Sequence, residues 1–285
     1  MLRSTTGGTP VFAVQRTLQA LELLADADSG VSVGHLSESL GVDKSIASRI
    51  LSTLHAAGYV VRAQDSERYE LSLKLIALAM GVSDRLGFPG VCQPILRRVS
   101  EDTGELAQLA AVERERLVFI ANAQGQQRIA IVPTIGREVA LHATASGKAW
   151  LATLPVEKAV KLALADGLDQ ITPHTTTRTE ALLEDLDRVR RQGYATVEGE
   201  FTEGVNGVAI AIGQQRFGHA VGTIVLSAPA SRLARDRLVE LVPIVKTASN
   251  ELEAVWPLDV ARLAIASPVE SRRLPTSRRM ARAHG

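Results

Sequence analysis

Between Lys44 and Ser52 the chain sets out hydrogen-bonding side chains at helical spacing: Lys44, Ser45, Ser48, Arg49 and Ser52, with Ile46 among them. At about 100° per residue, Ala47, Ile50, Leu51 and Leu54 fall at i, i+3, i+4 and i+7 and form one apolar stripe. Ser45, Arg49 and Ser52 take the opposite face, with Ser48 at its edge. Serine and arginine reach base edges and phosphates, and arginine can hold guanine through two parallel hydrogen bonds. Ile46 lies about 90° from the stripe centre, where it either packs inside or touches a thymine methyl. The chemistry on offer is recognition of double-stranded DNA, with no bond made or broken.

Stepping outward, the neighbouring residues predict the frame that would hold this helix. Val33, Leu36 and Leu40 give a short amphipathic helix, Gly41 a tight turn, and Asp43 a good N-cap for a second helix running to about Ala57. After Gly58 come two β-type segments, Tyr59–Arg62 and Arg68–Leu71, separated by the polar run Ala63–Glu67. Arg62 and Arg68 flank that run and complete the candidate DNA contacts. Val14–Ala25 is an earlier helix with Leu18, Leu21 and Leu24/Ala25 inward. Helix, turn, helix and hairpin describe a winged helix-turn-helix, a module that reads DNA and in other settings binds protein. Residues 1–72 carry six Lys/Arg against eight Asp/Glu, a balance of −2. DNA affinity must then come from placement: Lys44 and Arg49 on the second helix, and Glu22, Asp26 and Asp28 away from it. Modest non-specific affinity and a need for dimerisation follow.

Composition bounds the rest. With 285 residues, 46% hydrophobic and 22% charged, the chain is an ordinary globular protein long enough for two domains. Cys92 is the one cysteine, so neither an intrachain disulfide nor a cysteine-based metal cluster can form, which fits a reducing cytoplasm. Its place near a helix start favours a buried, inert thiol. Neither a signal peptide nor a membrane span is read. Gly147-Lys148 is followed by Ala149, so the phosphate-binding P-loop pattern is missing, and Ser146 is outside a G-x-S-x-G frame. The six histidines never fall at H-x-x-x-H spacing. His142 reads either as a ligand contact or as a structural histidine, and Trp150 and Trp256 as core or interface. The expectation is a protein that is not an enzyme and uses no cofactor or metal.

Along the chain, residues 1–10 read as a disordered N-terminus, 11–72 as the winged module and 73–88 as a linker helix. The apolar surplus of Leu73–Leu86 suits either a partner chain or its own domain. Residues 89–257 mix elements: helices at Val91–Thr103, Ser146–Thr153, Val156–Ala165, Glu180–Gln192 and Arg232–Trp256. Strands are expected at Leu106–Val112, Arg116–Ala123, Arg128–Val132, Tyr194–Glu198, Val205–Ile212 and Ala220–Leu226. This is an α+β domain on a mainly antiparallel sheet, with helices on one face and the other free to cup a small molecule. Residues 258–285 read as a basic disordered tail: over 261–285 there are six arginines against Glu270.

Several blocks then point to a family. VQRTLQALELLA (14–25), LSESLGVDKSIASRILSTLHAAGYV (36–60) and RYELSLKLIALA (68–79) resemble the N-terminal domain of IclR-type bacterial transcriptional regulators. LHATASGKAWLA (141–152) and GYATVEGEFTEGVNGVAIAI (193–212) resemble the C-terminal half. The resemblance runs from about Val14 to Trp256 and leaves out the tail. It implies a homodimer or dimer of dimers on operator DNA, with a GAF-like C-terminal domain that binds a small organic effector. Many members of such a family are repressors and some are activators, and a repressor is expected here.

The resemblance also implies effector contacts. The HATAxGKA-like loop brings Ala145 and Ser146. An acidic residue of better-known members aligns with Val197, a cysteine with Gly207, and two serines with Val225 and Ser227. Three of these polar side chains are thus replaced by Val197, Gly207 and Val225. A small carboxylate needs several donors to replace lost water, and Gly207 is expected to open space. The expected effector is larger or more apolar than a two- or three-carbon acid; a collapsed pocket is the alternative. A small-molecule-binding protein or enzyme with a winged helix used for protein interaction is the competing function.

Overall fold

The computed structural model describes residues 11–63, 66–127, 131–132, 135–165 and 167–264. Residues 1–10, most of the Arg128–Val132 segment and the chain beyond 264 lie outside the described residues. Two compact units divide at Arg85/Leu86.

The first unit contains α1 (Phe12–Ala25), β1 (Val31–Ser32), α2 (Val33–Leu40), α3 (Lys44–Ala56), β2 (Val60–Arg62), β3 (Arg68–Leu71) and α4 (Leu73–Leu86). Its core joins Ala20, Leu24 and Val31 to Leu36, Leu40 and Val60, and to the α3 stripe Ala47, Ile50, Leu51 and Leu54. Each fully buried aliphatic side chain contributes about 1.5–3 kcal/mol. Ser32 Oγ caps α2 by accepting from His35 N at 3.2 Å, and Gly41 ends it at φ +60°, a left-handed conformation that favours glycine. Asp43 occupies the N-cap position of α3 with extended backbone, but its carboxylate makes no capping bond.

Two details depart from the sequence expectation. The wing is a three-stranded antiparallel sheet ordered β1-β3-β2, in which Val31 pairs with Tyr69; a two-residue strand is too short to leave a period. On α1, Leu18 is exposed and Ala25 is not buried, while Ala20 fills the core instead. A second apolar edge, Val11, Val14 and Leu18, therefore faces outward. The linker helix α4 buries none of its residues.

The second unit opens with a 3-10 turn at Gly90–Cys92 and α5 (Gln93–Thr103), followed by β4 (Leu106–Glu113) and β5 (Arg116–Ala123). Then come α6 (Ala145–Leu151), α7 (Val156–Ala165), α8 (Thr179–Gln192), β6 (Ala195–Glu198) and β7 (Val205–Ile212). The unit closes with α9 (Gln214–Phe217), β8 (Gly222–Pro229), α10 (Arg235–Val255) and α11 (Leu258–Ala261). The strands form one antiparallel sheet, β5-β4-β8-β7-β6. Helices cover both of its faces, correcting the expectation of one. α5 and α10 pack on the face of Ala107, Leu109, Val208, Ile210, Ile224 and Leu226. α6, α7 and α8 pack on the face of Ala110, Ala195, Val197, Ala209 and Val225. The physical signal is that β4, β7 and β8 are almost continuously buried rather than alternating, as strands covered on two sides must be.

The predicted disordered tail also starts too early. α11 and a 3-10 turn at Arg262–Ala264 continue the fold, and Val260 and Ala261 are buried in the α5/α10 core. No single helix of the described residues is long and apolar enough to cross a membrane. Trp256 and Trp150 are both core residues, one on each side of the sheet. Cys92 is fully buried, and desolvation pushes its thiol up to about 12. The native protein is expected to resist maleimide at pH 8 and to label stoichiometrically in denaturant. Rapid labelling of the native chain would show that the α5 end opens to solvent.

Candidate DNA interface and effector site

The α3 stripe fixes which way the helix turns. With Ala47, Ile50, Leu51 and Leu54 inside, Lys44, Ser45, Ser48, Arg49 and Ser52 are all exposed. Ile46 is 36% exposed, on the outer side of its ambiguous position. Lys44 and Arg49 form no ion pair among the described residues, so neither cation must give up a partner to meet a phosphate or a guanine. Ser52 Oγ donates to Arg49 O at 3.0 Å, leaving its oxygen as an acceptor.

The wing arginines are more committed. Arg62 pairs with Glu67 at 3.3 Å. Both are exposed, and such a pair is worth about 0–1 kcal/mol, so a phosphate can displace the glutamate. Arg68 Nη1 donates to Ser29 Oγ at 3.3 Å and to Gly30 O at 3.1 Å. It fastens β3 to the turn before β1, which makes it the weaker candidate for a DNA contact.

The six effector-site positions converge on the α6 side of the larger sheet. Register places Val197, Gly207 and Ser227 in one row across β6, β7 and β8, continuing to Leu106 on β4. The next row reads Ala195, Ala209, Val225 and Gln108. Most side chains in these two rows are small, which lets α6 pack closely over the strands. α6, carrying Ala145 and Ser146, packs over β7 and β8. Ser146 is fully buried and its hydroxyl has no hydrogen-bond partner among the described residues.

Local chemistry holds α6 there. Thr144 Oγ1 accepts from Gly147 N at 3.0 Å and donates to Ala140 O at 2.8 Å. A Cβ on Gly147 would come within 2.4 Å of the Leu141 backbone, so only glycine lets the helix start so close to its approach. Lys148 is 98% buried, since its relative exposure is 2%. Its Nζ lies 2.6 Å from Asp185 Oδ2 and 2.6 Å from Glu200 Oε2. This triad ties α6 to α8 and to the loop after β6. His142 Nε2 lies 3.0 Å from Asp169 O. A carbonyl only accepts, so Nε2 carries the proton and the ring is engaged structurally.

One expectation about the site is corrected. Gly207 does not open free space: a Cβ there would lie 3.3 Å from Ser227 Oγ and 3.7 Å from Val225 Cγ2. Room at this position is already taken by its neighbours on β8. Sequence reading also passed over Lys148, whose acidic partners lie 37 and 52 residues away at no recognisable spacing.

A winged helix-turn-helix with a free cationic face, followed by a sheet domain with polar groups buried under a helix, defines a ligand-responsive DNA-binding regulator. Comparison with known proteins gives the same class. The family model for the IclR helix-turn-helix domain matches residues 13–64, and that for the bacterial transcriptional regulator IclR C-terminal domain matches residues 80–254. The chain is 30% identical over 244 residues to the HTH-type transcriptional regulator KdgR of Escherichia coli K12, covering 86% of this chain and 92% of the relative. It is 28% identical to the HTH-type transcriptional repressor AllR of the same strain, covering 86% and 90%. The crystal structure of an IclR transcriptional regulator from Alicyclobacillus acidocaldarius superposes with a TM-score of 0.75 at 25% identity, over 86% of this chain and 99% of that one. The chain belongs to the IclR family of bacterial transcriptional regulators.

Proposed function

We propose that this regulator is a cytoplasmic repressor that binds operator DNA as a homodimer or dimer of dimers. It acts by binding rather than catalysis, and lets go of DNA when an organic effector occupies the space between α6 and β6–β8. The exposed Arg49 on α3, which forms no ion pair among the described residues, carries the DNA part of this reading, with Lys44, Ser45, Ile46, Ser48 and Ser52 beside it and Arg62 and Arg68 at the wing. The name of the AllR relative supports the sign of regulation.

The oligomer is supported by two unpartnered apolar faces. On α4, Leu73, Ile76 and Met80 fall at i, i+3 and i+7 and are 78%, 56% and 60% exposed. On α1 the outward edge is Val11, Val14 and Leu18. Solvent-facing stripes of this size mark interaction sites, and a second copy supplies an identical apolar surface in a two-fold contact. Ile76→Glu is expected to shift the protein toward monomer in light scattering and to weaken operator binding at least about tenfold, with the melting temperature little changed. An unaltered mass and affinity would remove α4 from the interface.

The effector is larger or more apolar than a two- or three-carbon acid. Val197, Val225 and Ala209 line the sheet floor without a polar side chain, so an incoming small carboxylate would meet an apolar floor with only the Ser146 and Ser227 hydroxyls to replace its water. Calorimetric titration with glyoxylate, pyruvate and a set of aromatic and longer-chain ligands tests this. Saturable binding is expected only among the larger ligands. Tight binding of glyoxylate or pyruvate, with none of the larger ligands, would reverse the size assignment.

A further inference from the structure

Within the first unit, the start of α4 is tied to the turn that ends α3. Three successive carbonyls of that turn, on Ala57, Gly58 and Tyr59, each accept a hydrogen bond from Ser72 or Lys74. Ser72 N donates to Tyr59 O at 2.9 Å and Ser72 Oγ to Gly58 O at 2.6 Å. Lys74 Nζ donates to Ala57 O at 2.7 Å and lies 4.5 Å from the centre of the Tyr59 ring. Ala57 is the C-cap of α3, where helix carbonyls lack intrahelical partners and the helix dipole favours a cation. Ser72 Oγ also accepts from Lys74 N at 3.2 Å, so one hydroxyl both caps the start of α4 and holds the end of α3. α4 buries none of its residues, and none of them belongs to the core of the unit. With no buried side chain to fix its direction against α3, that direction falls to the polar contacts at its first turn.

The angle between these two helices has a consequence for DNA reading. A regulator that dimerises through the exposed Leu73, Ile76 and Met80 stripe of α4 presents two α3 helices, which must enter grooves about 34–36 Å apart. The α3–α4 angle then sets the half-site spacing. α3 has 13 residues, and at a rise of about 1.5 Å per residue its N-terminal turn lies about 20 Å from the Ala57 end. A pivot of about 10° at that end would carry the base-reading turn roughly 3 Å, close to the step of about 3.4 Å between base pairs. Lys74 is exposed, so its role here is orientation and not core packing. We infer that Lys74 is a positioning residue for DNA recognition: its bond to Ala57 holds α3 at one angle to the dimer-forming helix and so selects operators of one half-site spacing. This rests on the dimer and the DNA contact proposed above and deepens them.

The test uses the full-length protein and a duplex that the wild type selects from a random-sequence pool, remade with one or two base pairs inserted or removed at its dyad. The wild type is expected to bind the parent duplex at least about tenfold more tightly than the altered spacings, because simultaneous engagement of both half-sites is lost when the geometry forbids it. Lys74→Met and Lys74→Ala are expected to cut that preference to about threefold or less. Their mass in light scattering, melting temperature and affinity for an isolated half-site should not change. Lys74→Arg, which keeps a cation for Ala57 O and the Tyr59 ring, should restore the preference. A Lys74→Met protein with the wild-type preference would overturn the role of Lys74. So would one weakened equally on every spacing, the mark of a lost phosphate contact. Ile76→Glu separates such a failure from failure of the underlying reading. If Ile76→Glu abolishes both the dimer and the spacing preference while Lys74→Met changes neither, the dimer contact stands and the role of Lys74 falls. If Ile76→Glu changes neither, α4 is not the dimer contact and the role of Lys74 falls with it. A pool from which the wild type enriches no sequence would remove the DNA reading itself, and this role too.

Discussion

Arg49→Ala is expected to abolish sequence-specific DNA binding while leaving the fold and the oligomer intact. Arg49 lies on the exposed face of α3, opposite the buried Ala47, Ile50, Leu51 and Leu54, so truncation removes no core contact. A bidentate arginine–guanine contact is worth about 1–3 kcal/mol of discrimination. A two-fold complex loses it at both half-sites, about 2–6 kcal/mol in all. That is enough to bring operator affinity close to the non-specific level, which phosphate contacts set. Lys44→Ala should instead weaken all sequences alike and flatten the salt dependence. Competition anisotropy separates the two: an Arg49→Ala protein that still prefers its operator would mean that another element reads the bases.

The second large effect belongs to Lys148. Lys148→Met leaves Asp185 and Glu200 buried near each other with their shared cation gone. Arg188 still reaches Asp185, but Glu200 keeps only Thr176 among the side chains that bond its carboxylate. Breaking a buried ion pair by removing one partner costs about 3–5 kcal/mol. In a unit of this size each kcal/mol moves the melting temperature by about 2–4 °C, so a drop of roughly 10 °C is expected in the C-terminal unit. Adding Glu200→Gln to Lys148→Met should recover part of it, because the uncompensated charge goes. Effector response should fall as well, since Ser146 lies two residues before Lys148 on the same helix. Unchanged stability would mean that water or rearrangement satisfies the two carboxylates without the lysine.

How much of this could be read beforehand varied with the physics behind each element. The α3 stripe emerged because a helix buried on one face leaves a period. Arg116–Ala123, Val205–Ile212 and Leu73–Leu86 emerged because turn residues or prolines bracket apolar runs. Leu18 was misjudged because α1 carries two apolar edges and sequence cannot say which one the core takes. β1 escaped notice because two residues have no period, and its strand identity exists only through pairing with β3. The second layer of helices was hidden for a related reason: in β4, β7 and β8 apolar side chains point both ways. The Lys148 triad is a tertiary fact with no local pattern to announce it.

The central claim is that α3 reads a specific DNA site. The most direct measurement is fluorescence anisotropy of the full-length protein on the DNA immediately upstream of its own gene, at two salt concentrations and with unlabelled competitor. Saturable binding that survives both the salt and the competitor is the predicted result. Binding that disappears with either one would be phosphate attraction alone and, if it did so on every candidate operator, would contradict the assignment of α3 as a base-reading helix.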